Sequence, residues 1–484
     1  MTQNIRFNVD GDGVAVLLLD VADKPMNVVT PGLEKDLGEC IDRVTSDDAI
    51  RGAVIGSAKS SFMAGADIKG MVDSYDRGVT AAEAAELSLH VNKLFRRLET
   101  CGKPFAAAIN GVALGGGFEL ALACHYRVMA DDPKARVGLP EVTIGLLPGA
   151  GGTQRVPRLI GVAEAARFIS QGKPLGARQA LEKGLVHELA PAEQILERAR
   201  QWVLKGGEGV QPWDNKGFRI PGGGGQSTPK AFQTFMGATA LTAQATMRNY
   251  PAPLAILSCI YEGTQLPIDK ALSVESKYFG KLLAGPVARN LMRTMFVNKG
   301  LADKLSRRPA GPEKTKVGKL GILGAGMMGA GIAYASAKVG IDVVMLDTSL
   351  EAAEKGKSYS QMLLGKQVER GRISQQDAEA VLGRIQTTTR YDDQAGCDLV
   401  VEAVFENRQI KADVTARTEA VIPKSAVFAS NTSTLPITGL AKNSKRPAQF
   451  IGIHFFSPVD KMPLVEIIVG KKTSDETLAR ALDY

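Results

Sequence analysis

Residues Val317–Asp347 read VGKLGILGAGMMGAGIAYASAKVGIDVVMLD, and this stretch decides the architecture of the second half of the chain. An apolar run that reads as a buried strand leads into Gly324, Gly326 and Gly329 in GxGxxG spacing. A helix of small residues follows, and then a second apolar strand ends at Asp347. This order lets backbone N–H groups of the turn and of Met327 and Met328, at the helix N-terminus, meet a pyrophosphate. An acid at the tip of the second strand can accept from the adenosine ribose hydroxyls. Asp347 therefore favours NAD over NADP. No GxxxxGK[ST] occurs in the chain, which argues against nucleotide hydrolysis.

Downstream, DLVVEAVFE (Asp398–Glu406) reads as another buried strand ending in acids, and VFASNTSTLPI (Val427–Ile437) as a strand followed by a polar loop. IGIHFFSPVDKMPLVEII comes next. Of the four histidines (His90, His125, His187 and His454), only His454 falls in this region. Oxidising a secondary alcohol requires a base to take the hydroxyl proton as hydride leaves, and a histidine oriented by a carboxylate suits that task near neutral pH. Glu466 is the natural partner.

Upstream, VAVLLLDV (Val14–Val21) and GAVIGSA (Gly52–Ala58) read as buried strands, with a helix around Thr30–Val44 between them. FAAAINGVA (Phe105–Ala113) reads as a further strand that runs into a glycine triplet. Two carboxylates, Glu119 and Glu141, stand in the glycine-framed segments GGGFELALAC and GLPEVTIGLLPGAGGTQR. Together they outline an acid/base site beside a backbone anion cradle, which points to chemistry on a polarised carbonyl. Between the two halves, Pro191–Pro312 shows apolar residues at helical spacing, including AxxxExxxF from Ala271 to Phe279. A short glycine cluster lies at Pro221–Pro229.

The chain has 484 residues, more than one core usually organises, so two or three domains are expected. With 44% apolar and 23% charged residues and no apolar run of membrane-spanning length, no membrane span is expected. The N-terminus resembles neither a secretory nor a transit sequence, and the cytoplasm is the expected compartment. The five cysteines are scattered without a CxxC pair, so neither a disulfide framework nor a metal site is suggested. The formal net charge is +8, but eight basic and two acidic residues fall between Arg293 and Lys319. Only one aromatic residue, Phe296, falls among these charges, so a solvated connector is expected rather than a nucleic-acid face.

These residues also carry a family resemblance. LGAGMMGAGIA, VVEAVFEN, SNTSTL and HFFSPVDKMPLVEI resemble the NAD-binding domain of 3-hydroxyacyl-CoA dehydrogenases. The segments around Glu119 and Glu141 resemble the enoyl-CoA hydratase (crotonase) family. In this order they are similar to the multifunctional α-subunits of the fatty acid β-oxidation complex. The resemblance implies an α/β chain: a crotonase-like spiral domain (residues 1–190), a helical extension and linker (191–312), then a Rossmann-type NAD-binding domain (313–484). It implies CoA-thioester substrates and oxyanion-hole amides at Ala66, in SFMAGADIKGM, and at Gly116. It places Glu119 on the water that adds to a trans-2-enoyl-CoA and Glu141 on the proton delivered to the substrate. In the dehydrogenase part it implies Ser433 on the substrate hydroxyl, Glu406 near the cofactor, and His454 with Glu466 as the proton-accepting pair. A thiolase β-subunit is the implied partner, and an oligomer is compatible with it. The family also has a catalytic Asn and a helical domain beyond the point where this chain stops, so the expectation is NAD binding without efficient oxidation. The alternatives are an isomerase that moves the double bond of 3-enoyl-CoA and a noncatalytic scaffold binding CoA and NAD.

Overall fold

A computed structural model describes residues 2–225 and 228–484. Gln226 and Ser227, inside the glycine cluster, lie outside the described residues. The chain divides into two compact units, Met1–Gly300 and Leu301–Tyr484.

The first unit is built on two sheets. The larger contains β1 (Ile5–Val9), β2 (Val14–Leu19), β3 (Gly52–Ser57), β4 (Phe105–Ile109), β6 (Tyr126–Ala130) and β9 (Glu188–Ala190), in that spatial order. Only β1 and β2 pair antiparallel. The smaller contains β5 (Val112–Leu114), β7 (Arg136–Gly138) and β8 (Leu175–Gly176). From β4 on, the chain alternates between the sheets, visiting β4 then β5, and β6 then β7, so each of these turns of the spiral contributes one strand to each. Isolated bridges Val29–Ala66 and Met63–Ala113 add to the pattern. The strands of the larger sheet are apolar on both faces. One side packs into the main core with Leu17, Ile55, Phe105, Ala107 and Met129, and the other packs Val54, Ala106 and Val128 against the helix Ile195–Leu204.

The run Phe105–Ala113, read above as one strand, breaks at Asn110–Gly111 into β4 and β5, which belong to different sheets. At the corner the Asn110 side-chain amide donates to the Lys59 carbonyl (2.6 Å), and a Cβ on Gly111 would lie 2.7 Å from the Ser60 carbonyl oxygen. Close backbone packing turns the chain there, while hydrophobicity continues through the corner unchanged.

The middle region is helical as its spacing predicts, with helices Pro229–Ala245, Pro251–Gly263, Ile268–Leu283 and Pro286–Met292. They pack within the first unit. Ala271, Leu272, Glu275, Phe279 and Leu283 of the third helix are buried, and its Gly280 lies against the Ala81 carbonyl oxygen of helix Ala81–Thr100.

The second unit is a doubly wound sheet: β10 (Lys319–Leu323), β11 (Asp342–Leu346), β12 (Ile385–Thr388), β13 (Leu399–Glu402), β14 (Val427–Ser430), β15 (Phe450–Phe455) and β16 (Val465–Ile468). The order is β12-β11-β10-β13-β14-β15-β16, and only the β15–β16 pair is antiparallel. Successive residues of β10, β11 and β13 alternate between two apolar clusters, as strands covered on both faces require. The order reverses between β10 and β13, and that crevice is where such sheets bind ligands.

Candidate functional site

In the first unit the small sheet joins the segments that matter. β5 pairs with β7 through Leu114 and Gly138, and the Gly115 amide donates to the Gly138 carbonyl (2.9 Å). Glu141 follows directly, on the short helical turn Pro140–Ile144, while Gly116 opens the helix Gly116–Ala123 that carries Glu119 in its first turn. The Ala66 segment comes alongside through Met63, whose amide donates to Val112 (3.1 Å) and whose carbonyl accepts from Leu114 (3.0 Å).

This assembly depends on glycine. Gly115 has φ +51, and a Cβ there would stand 2.5 Å from Glu141 Oε1 and 3.6 Å from the Gly65 Cα. A Cβ on Gly117 would stand 2.5 Å from the Met63 carbonyl oxygen. The two loops thus touch at Gly65 and Gly115, one residue before Ala66 and Gly116, and the Glu141 carboxyl lies against that contact. A buried asparagine that sequence reasoning passed over fixes the first loop. Asn27 accepts from the Val21 amide (3.0 Å) and donates to the carbonyls of Leu19 and Phe62 (both 3.1 Å), while its own carbonyl accepts from Ala64 (2.9 Å).

Glu119 is buried, and its Oε1 accepts from the Ala150 and Gly152 amides, both at 2.8 Å. Burial first, and then the charges of Glu141 and Glu275, push its carboxyl well above the ordinary range, against the pull of those two amides. Glu141 is pushed up to about 8, chiefly by burial. Its Oε2 is shielded from solvent and has no hydrogen-bond partner among the described residues. The structure therefore brings Glu119, Glu141 and the segments of Ala66 and Gly116 to one place. It adds a further acid, the buried Glu275, whose carboxyl is raised chiefly by burial. Glu275 is the central residue of the AxxxExxxF spacing in the extension, where sequence showed a helix face but no partner.

In the second unit a Cβ on Gly324 (φ +96) would lie 2.7 Å from the Ala403 carbonyl oxygen, so the glycine turn sits against the end of β13. A Cβ on Gly329 would overlap the Gly324 carbonyl oxygen. A Cβ on Gly326 would meet nothing within 4 Å, and Met327 and Met328 follow as the first residues of helix Met327–Lys338. The turn thus leaves an open cradle at a helix N-terminus, which fits a dinucleotide pyrophosphate. Asp347, just past β11, accepts from the Ala325 amide on Oδ2 (2.7 Å) and from the Thr348 amide on Oδ1 (2.6 Å).

His454 and Glu466 face each other in register across β15 and β16, with Nδ1 of the ring 2.8 Å from Glu466 Oε2. Ser433 is exposed on the loop after β14. That loop is tied at both sides. Glu406 accepts from the Thr432 hydroxyl and from the Thr434 amide (3.3 Å), and Asn431 Oδ1 accepts from the Phe455 amide (2.9 Å), next to His454. Sequence reasoning missed Lys411, a buried ammonium 2.7 Å from Glu402 Oε1 and 3.2 Å from Glu406 Oε2. Burial raises the Glu406 carboxyl, but the Thr432 hydroxyl and the Lys411 ammonium outweigh it and hold the group below its ordinary value.

The profile of the enoyl-CoA hydratase/isomerase family matches residues 11–208, and that of the 3-hydroxyacyl-CoA dehydrogenase NAD-binding domain matches residues 319–484. A Shewanella amazonensis (strain ATCC BAA-1098 / SB2B) protein named fatty acid oxidation complex subunit alpha is 38% identical over 491 residues, covering all of this chain and 68% of its own. A protein of the same name from Idiomarina loihiensis is 38% identical over 488 residues, covering 99% of this chain and 67% of its own. Among solved structures, an (S)-3-hydroxybutyryl-CoA dehydrogenase from Ralstonia eutropha is 39% identical at a TM-score of 0.33, covering 35% of this chain and 62% of its own. Among the described residues no helix is long and apolar enough to cross a membrane. The chain belongs to the family of fatty acid oxidation complex alpha subunits, with an enoyl-CoA hydratase/isomerase domain followed by the NAD-binding domain of a 3-hydroxyacyl-CoA dehydrogenase.

Proposed function

We propose that the first unit hydrates trans-2-enoyl-CoA to 3-hydroxyacyl-CoA with Glu119 and Glu141 as its acid/base pair. The observation that carries this is the Glu141 carboxyl, seated against the Gly65–Gly115 contact beside Ala66 and Gly116 and within electrostatic reach of the buried Glu119. Two carboxylates held together out of water do not both ionise near neutrality, so the pair shares a proton. The Ala150 and Gly152 amides favour the charge on Glu119, and Glu141, whose Oε2 has no hydrogen-bond partner among the described residues, keeps the proton. Glu119 then draws a proton from the water that attacks C3. Glu141 delivers its proton to C2. The amides of Ala66 and Gly116 take the charge that develops on the thioester oxygen.

In the second unit NAD, when bound, supplies the hydride acceptor. Gly324, Gly326 and Gly329 with Met327 and Met328 would hold its pyrophosphate, and Asp347 its ribose hydroxyls. With Nδ1 engaged by Glu466, His454 offers Nε2 to a substrate hydroxyl and takes its proton. Ser433 orients that hydroxyl, and Glu406 lies near the cofactor. That the relatives are complex subunits supports a partner, for which a thiolase β-subunit working in the cytoplasm is our reading.

The test is loss of enoyl-thioester absorbance on adding crotonyl-CoA. Glu119→Gln and Glu141→Gln are each expected to lower kcat by about 10²- to 10⁴-fold, the usual contribution of a positioned acid or base. Wild-type inertness toward crotonyl-CoA with turnover of a 3-enoyl-CoA would leave an isomerase instead.

A further inference from the structure

The loop that enters helix Gly152–Ile160 has four successive amides, and they are divided alternately between two buried carboxylates. Ala150 and Gly152 donate to Glu119 Oε1, both at 2.8 Å. Gly151 donates to Glu275 Oε1 at 2.6 Å and Thr153 to Glu275 Oε2 at 2.9 Å. The left-handed φ of Gly151, +105, permits this. Glu275 also accepts from the Thr153 hydroxyl (2.6 Å) and from the Asn92 side-chain amide (3.2 Å), so both of its oxygens are engaged. Among the described residues no lysine or arginine forms an ion pair with it.

Glu275 belongs to the extension, on helix Ile268–Leu283, and it does not act on the loop alone. One turn further along the same helix face, the Phe279 ring lies against Gly149, where a Cβ would stand 2.6 Å away. Ser276 bonds Ser88 (3.0 Å), whose hydroxyl also donates to the Gly149 carbonyl. A carboxylate buried with no paired cation is retained only where donors compensate its desolvation. Here the donors are the backbone of the strip whose other edge holds Glu119.

We infer that Glu275 is a positioning residue for hydration: by taking the Gly151 and Thr153 amides it turns those of Ala150 and Gly152 toward Glu119, so the helical extension fixes the acid that activates water. The inference rests on the hydratase reading of the first unit. The ionisable groups facing Glu275 are Glu119 and Glu141, Arg155 with its partner Glu99 at 2.7 Å, and Cys259 on helix Pro251–Gly263. The Glu275 charge raises the proton affinity of Glu119 more than either the Ala150 or the Gly152 amide lowers it, so removing that charge should lower it even where one of these amides turns away.

The experiment uses the full chain and crotonyl-CoA, with kcat, KM and the pH profile measured for wild type, Glu275→Gln and Thr153→Val. Glu275→Gln is expected to lose about ten- to hundredfold in kcat, since a displaced catalytic group costs that much. Its KM should stay within about twofold, and the inflection belonging to Glu119 should move to lower pH, a displacement that loss of packing alone would not produce. Thr153→Val removes one donor and keeps the charge, so about a threefold loss with an unmoved inflection is expected. A folded Glu275→Gln with unchanged kcat and an unmoved inflection overturns the inference. If that variant does not fold, an unchanged kcat in Thr153→Val overturns it instead. A wild-type chain inert toward crotonyl-CoA sinks the hydratase reading separately. The Glu119 carboxyl titration, followed by carbon-13 NMR and assigned by its loss in Glu119→Gln, then decides: an equal midpoint in wild type and Glu275→Gln overturns the positioning role.

Discussion

Glu141 combines two properties that seldom coexist at one atom, an Oε2 without a partner among the described residues and the shielding of that oxygen from water. Its proton affinity is raised to about 8 from a usual value near 4.5, so the folded chain binds a proton there more tightly than the unfolded chain does. The stability tied to Glu141 is therefore fully present below the unfolded value and is lost as pH rises through about 8. Glu141→Gln removes a group that must ionise out of water. It is expected to raise the melting temperature relative to wild type at alkaline pH, by the equivalent of a few kcal/mol, and to change it little at acidic pH. Thermal melts at both ends of that window check this, and equal differences at the two ends would contradict it. Glu119 and Glu141 were legible as candidates because glycines frame both. Glu275 and Lys411 were not, because an acid or lysine on a helix reads as a solvated residue until its partners are known, and Asn27 was not, because an asparagine in a loop reads as a turn residue.

The elements differ in how far sequence reveals them. The unit β10, helix Met327–Lys338 and β11 announces itself because Gly324 and Gly329 answer steric demands that no other residue meets, while Gly326 leaves the cradle between them open. The corner between β4 and β5 does not, since the apolar run continues across Asn110–Gly111 and only contact with residues 59–61 bends it. The glycine loop before Glu119 shows what such a demand means for function. In Gly115→Ala the new methyl group would enter the space of the Glu141 carboxyl, at a φ that non-glycine residues adopt at a cost of about 1–3 kcal/mol. The variant is expected to fold with a lower melting temperature and to hydrate crotonyl-CoA about 10²-fold more slowly, as small displacements in a catalytic site do. Retention of wild-type kcat would show that the contact between Gly65 and Gly115 does not set the geometry. For the second unit, Gly329→Ala would force the added methyl into the Gly324 carbonyl. It is expected to abolish NAD binding measured by titration calorimetry while leaving crotonyl-CoA hydration intact.

On the scale of the whole chain, the two units have separate interiors. The apolar core of the first draws on residues up to Met292, and the clusters of the second begin at Val317. A ligand that binds only the folded form of one unit stabilises that unit by mass action, by about 2.7 kcal/mol when its concentration is a hundred times its Kd. NAD at that excess is therefore expected to raise one calorimetric transition by a few degrees and to leave the other in place. Because Gly324, Gly326 and Asp347 all belong to the second unit, the transition that moves should be the one lowered in Gly329→Ala. The one left in place should be the one that responds to pH through Glu141. A single transition that NAD shifts as a whole would mean that the two units unfold together, and the dinucleotide cradle would then stabilise the hydratase half as well as its own.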